Sequence, residues 1–91
     1  MKERRSELEI YRDILKVIES TAKPTWIMYK ARLSWLTMMR HLKELMKLGL
    51  IEEIQVKTKA GTRKRYKLTP KGKKILTSLN EALRLFEETS G

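Results

Sequence analysis

Apolar residues first recur at helical spacing in Leu8, Tyr11, Leu15 and Ile18, with Ile10, Ile14 and Val17 widening the stripe. Steps of three and four place such residues on one face, so a core-facing helix is expected over about residues 7–20. Ser6 and Glu9 at its start have the spacing of a capping box, in which each side chain bonds the other's backbone N–H. Thr21-Ala22-Lys23-Pro24 breaks the period, because proline disfavours helix in the residue before it and has no N–H to continue one. A short second helix is expected over about 25–31, with Trp26 packed rather than used in recognition. Ser34 is a good N-cap for a third helix over about 34–48, whose apolar positions are Trp35, Met38, Leu42, Leu45 and Met46. Trp35 is expected to be partly buried. Gly49 can take the left-handed backbone that ends many helices.

Beyond Gly49 the pattern changes. Leu50, Ile51, Ile54 and Val56 form a β-branched, partly alternating run, and Tyr66 and Leu68 form another, separated by Lys59-Ala60-Gly61-Thr62. A β-hairpin over about 50–68 follows. Thr69-Pro70 reads as the N-cap and first residue of a last helix over about 70–88, with Ile75, Leu76, Leu79, Leu83 and Phe86 on one side. The order is helix, short helix, helix, hairpin, helix, which predicts an α+β, mostly α architecture: a winged helix-turn-helix in one domain spanning residues 1–91.

Composition narrows the function classes. The chain is 41% hydrophobic and 35% charged, too apolar for disorder and too charged for a bilayer. The opening Met1-Lys2-Glu3-Arg4-Arg5 leads into a charged amphipathic stretch, and no run approaches the roughly 18 apolar residues of a transmembrane helix, so no export or membrane-spanning segment is expected. Absence of cysteine fits an intracellular protein, and a cytoplasmic one is expected. His41 is the only histidine, and no nucleophile–base pair or metal-ligand set can be assembled around it. We therefore expect no enzyme activity, no metal, no cofactor and no evident small-molecule effector.

The net charge of +10 points to a polyanionic partner. Its distribution is more informative: Lys57, Lys59, Arg63, Lys64, Arg65, Lys67, Lys71, Lys73 and Lys74 fall in a stretch without one carboxylate, whereas Glu81, Glu87 and Glu88 oppose Arg84 near the end. Concentrated like charge repels itself unless a partner neutralises it. A helix about 10 Å across fits the DNA major groove, about 12 Å wide, while a basic hairpin reaches flanking phosphates. The expected binding surface for double-stranded DNA is therefore Ser34, Thr37, Arg40, His41 and Lys43 on the third helix with Lys57, Lys59, Arg63, Lys64 and Arg65 on the hairpin. Arg40 is the leading candidate for base contact, since a guanidinium can take both acceptors of guanine or grip a phosphate. The plainer alternative is a solvated arginine. A different class of function also fits these residues, a winged-helix module that binds a protein or RNA.

Leu79, Leu83 and Phe86 continue an apolar seam that either packs on the first helix or pairs with a second subunit, making a homodimer. A resemblance bears on this choice. Thr25-Trp26-Ile27-Met28-Tyr29-Lys30-Ala31-Arg32-Leu33-Ser34, then Leu45-Met46-Lys47-Leu48-Gly49-Leu50-Ile51, then Tyr66-Lys67-Leu68-Thr69-Pro70-Lys71-Gly72 resemble the small archaeal winged-helix DNA-binding proteins of about ten kilodaltons. That resemblance implies duplex binding as a chromatin component or transcription regulator, and a dimer joined by an antiparallel coiled coil of the final helices. Two departures stand out: the last helix is short for a long coiled coil, and Met38-Met39 are bulky for the early recognition helix.

Overall fold

The computed structural model describes residues 4–90; the opening Met1–Glu3 of the charged N-terminal stretch lies outside them. Helix α1 runs Glu7–Ser20, α2 Pro24–Ala31, α3 Trp35–Lys47 and α4 Pro70–Ser90, with strands β1 (Ile51–Thr58) and β2 (Gly61–Leu68) between α3 and α4. The expected element order is the observed one.

Local chemistry explains most boundaries. The capping box forms at α1, where the Glu9 N–H donates to Ser6 Oγ at 3.1 Å and the Ser6 N–H to Glu9 Oε1 at 3.2 Å. Pro24 occupies the first turn of α2, where its missing N–H costs nothing. That helix ends on Arg32 in the left-handed conformation, φ 56°, a conformation that costs a non-glycine residue about 1–2 kcal/mol. The Arg32 N–H donates to Tyr29 O and the Leu33 N–H to Met28 O, closing the helix, while Arg5 donates to Arg32 O. Ser34 then caps α3 by accepting from the Thr37 N–H at 3.3 Å.

The junction between α3, the hairpin and α4 converges on one threonine. Thr69 Oγ1 donates to Gly49 O at 2.6 Å and accepts from the Gly72 N–H, and the Thr69 N–H donates to Leu50 O. Gly72 is required by space: a Cβ there would stand 1.9 Å from Leu50 O. The hairpin is antiparallel, with Ile51 opposite Leu68 and Thr58 opposite Gly61. Its turn takes a positive φ only at Gly61, at 112°.

The core gathers Ile10, Ile14, Leu15 and Ile18 of α1, Ile27 and Ala31 of α2, Met38, Leu42 and Leu45 of α3, Leu50, Ile51, Tyr66 and Leu68 at the hairpin base, and Leu76 of α4. Burying side chains of this size contributes about 1.5–3 kcal/mol each. A backbone bond from the Tyr66 N–H to Ala22 O ties β2 to the α1–α2 connection. Two expectations are corrected here. Trp35, expected as a partly buried core residue, and Trp26, expected to pack, lie outside the core at 47% and 51% exposure, on the outer sides of their helices, while Met38 and Ile27 take the core positions. Leu8, read as part of the α1 stripe, is also exposed, in the first turn of the helix and outside the core.

Helix α4 leaves the core partway. Ile75, Leu76 and Leu79 pack against it, Leu83 is half-buried, and Leu85 and Phe86 are exposed. Twenty-one residues make a helix about 31 Å long. Its projection gives the chain a radius of gyration of 13.9 Å, against about 12 Å for a compact domain of this length.

Candidate nucleic-acid interface

The helix expected to read bases presents Ser34, Arg40 and Lys43 to solvent, with Thr37 half-buried. Ser34 and Thr37 are engaged with each other, Ser34 Oγ donating to Thr37 Oγ1 at 2.9 Å. His41 does not join this surface. It is 6% exposed and its ring meets Tyr11 of α1 edge-on, centroids 5.3 Å apart and planes at 88°. The 100° helical step put His41 beside Arg40 on the outer face, but α1 crosses that side of α3 and covers it. Burial holds the His41 pKa below the ordinary imidazole range, with the Arg40 guanidinium adding to the effect and Glu44 and Glu7 opposing it. Its Nδ1 has no hydrogen-bond partner among the described residues.

Sequence reading missed the polar link that accompanies this packing. The Tyr11 hydroxyl bonds Glu7 Oε1 at 2.7 Å and also Glu44 of α3. Burial and these carboxylates push the tyrosine pKa well above its usual value. Nothing in the local pattern pairs residues 33 positions apart, so Tyr11 reads in sequence as one more stripe residue.

The hairpin carries the rest of the expected surface. Lys57, Lys59, Arg63 and Lys64 are exposed and Arg65 is half-buried, its guanidinium donating to Lys64 O. None of these five has an ion-pair partner among the described residues, whereas Lys67 at the hairpin base pairs with Glu52 at 3.1 Å. Side chains alternate across a strand. Lys57 and Lys64 therefore share the face of buried Tyr66 and Leu68, while Arg63 and Arg65 share the opposite face with Val56 and Ile54. Lys59 sits at the turn. The wing is thus charged on both faces and at its tip, a shape that suits phosphates approached from either side.

At the other end, Lys71 Nζ caps α3 by donating to Leu48 O at 3.0 Å, so one cation of the basic stretch is structural. Of the expected dimer residues, Leu79 packs within the chain, Leu83 is half-buried and Phe86 is exposed. Among the described residues no group of three or more His, Cys, Asp or Glu could hold a metal ion, and no helix is long and apolar enough to cross a membrane.

Comparison with known proteins places this geometry. The chain resembles Sso10a-2, a DNA-binding protein from Sulfolobus solfataricus, with 28% identity and a TM-score of 0.83 over 94% of this chain and 86% of that one. It resembles a PadR family transcription regulator from Clostridium difficile at 25% identity and a TM-score of 0.80, covering 88% of this chain and 92% of that one. A PadR-like transcription factor from Bacteroides fragilis matches at 28% identity and a TM-score of 0.72, over 91% and 86% of the two chains. A comparison with curated protein sequences gave no match. The family model described as winged helix-turn-helix matches residues 4–87, nearly the whole length, and the chain belongs to the winged helix-turn-helix family.

Proposed function

We propose that this protein is a double-stranded-DNA-binding regulator of transcription, with α3 in the major groove and the β1–β2 wing on the phosphate backbone. The observation that carries the reading is the wing: Lys57, Lys59, Arg63 and Lys64 stand exposed with no ion-paired carboxylate among the described residues. A polyanion supplies the missing counter-charge and releases its own counterions in doing so. Similarity to Sso10a-2, a DNA-binding protein, and to PadR family regulators supports the same assignment. Ser34, Thr37, Arg40 and Lys43 form the α3 part of the surface, without His41. Arg40→Ala weakens binding to a preferred duplex by about 1–3 kcal/mol.

A regulator prefers a defined site over random duplex by about 4–10 kcal/mol, whereas a low-specificity chromatin protein shows little preference. Selection from random duplexes, followed by gel-shift titration of the enriched pool, tests the regulatory role. Enrichment of one roughly two-fold symmetric site supports it; an unenriched pool bound as tightly as the selected one contradicts it.

We also propose a homodimer formed through the outer half of α4. Leu83, Leu85 and Phe86 lie where the helix has left the core, Leu83 half-buried and Leu85 half exposed, and apolar surface there that a second copy covers contributes about 25 cal/mol per Å². The chain's own fold uses Leu79, so the seam is divided between intrachain packing and the partner. No effector, cofactor or catalytic step is part of this reading, and residence in the cytoplasm with the nucleoid follows from it.

A further inference from the structure

Between Glu19 and Glu44 the chain carries no carboxylate and five cations, Lys23, Lys30, Arg32, Arg40 and Lys43. Within that stretch α2 turns two aromatic rings outward, Trp26 at 51% and Tyr29 at 67% exposure. Residues 26, 29 and 30 lie within one 100° arc of the helix, so the indole, the phenol and the Lys30 ammonium share a face. Lys30 Nζ rests 5.9 Å from the centre of the Trp26 ring. A shallow cavity of about 230 Å³ is lined by Thr21, Lys23, Trp26 and Lys30, giving it an indole wall and two ammonium groups.

We infer that this face of α2 binds single-stranded nucleic acid, with an unpaired base stacked on Trp26 and its neighbouring phosphates held by Lys23 and Lys30. An indole wall flanked by ammonium groups matches a nucleotide, which presents an aromatic face beside an anion. An apolar peptide would leave both cations unmatched, and an acidic one would leave the indole unused. The contact between Lys30 and Trp26 is worth about a two- to fivefold preference at an exposed site. Stacking a base is worth about five- to 150-fold, so an arriving base displaces the ammonium from the ring toward the phosphate. A paired base offers no free face, so this activity is distinct from duplex binding by α3 and the wing and stands without it.

Anisotropy of labelled oligo(dT), oligo(U) and an abasic oligonucleotide of equal length, at low salt, tests the proposal on the full chain. Both base-bearing strands are expected to bind at least fivefold more tightly than the abasic one, since stacking is indifferent to the sugar. Trp26→Ala removes that advantage, Trp26→Phe retains most of it, and both variants hold a mixed-sequence duplex within about threefold of the parent. In a Trp35→Phe background, where Trp26 is the remaining tryptophan, oligo(dT) quenches its emission saturably. Equal affinity for the abasic strand overturns the proposal. So does a Trp26→Ala protein that keeps the preference for bases, or Trp26 emission that responds to protein concentration and not to oligonucleotide, which assigns the face to a second copy of the chain. Loss of duplex binding with stacking retained would refute the regulator reading and leave this one in place.

Discussion

His41 shows how one residue can leave a predicted surface and acquire a different role. Spacing along α3 put it next to Arg40, yet the ring is enclosed by Tyr11 of α1, with Glu7, Glu44, Arg40 and Arg5 around the same cleft. Its pKa is lowered by folding, so below about pH 6.5 the unfolded chain takes up a proton that the folded chain resists. Stability contributed by neutral His41 is complete above that pH and is lost as pH falls toward the folded pKa. Thermal melts from pH 7.5 to 5 are expected to show a falling midpoint, and His41→Phe, which keeps a ring against Tyr11, is expected to flatten the decline. An equal decline in the variant would assign the loss to other groups. The residue scale is also where sequence reading was weakest. Spacing along α3 and position in the short α2 assigned Trp35 and Trp26 to packing, but exposure depends on which helix crosses which face, and that is set by contacts far apart in the chain.

Elements were far more legible, because their signals are local. Ser6–Glu9, Ser34–Thr37 and Thr69–Gly72 each announce a helix start within four residues, and each forms the expected hydrogen bonds. The end of α2 is the exception, since Arg32 takes a left-handed conformation that nothing in its residue type signals. Thr69 and Gly72 also do more than start a helix, holding the α3–β1 connection against α4 through Gly49 O and Leu50 O. A methyl group at Gly72 would drive into the Leu50 carbonyl. Gly72→Ala is therefore expected to lower stability by about 1–3 kcal/mol, the usual range for overpacking, read as a reduced urea midpoint. An unchanged midpoint would mean that this junction is looser than the geometry shows.

At the scale of the whole molecule, the apolar seam of α4 divides where the helix passes the core, an outcome periodicity along one helix does not encode. Sedimentation equilibrium is expected to give twice the monomer mass at micromolar concentration, and Leu83→Glu with Phe86→Glu to return the monomer while leaving the fold's circular dichroism intact. A monomeric parent chain would refute the proposed pairing. The basic wing on which the proposed duplex contact rests was legible from the carboxylate-free run beginning at Lys57, because charge segregation along a hairpin survives folding directly into segregation in space.

The central claim is that the wing neutralises duplex phosphates, and its most direct test is the salt dependence of duplex binding. The logarithm of the binding constant is expected to fall linearly with the logarithm of salt concentration, with a slope of about −0.9 per phosphate contacted. Arg63→Ala and Lys64→Ala are each expected to reduce the size of that slope by about one for each wing engaged. A slope left unchanged by both substitutions, or no duplex binding at low salt, would contradict the account.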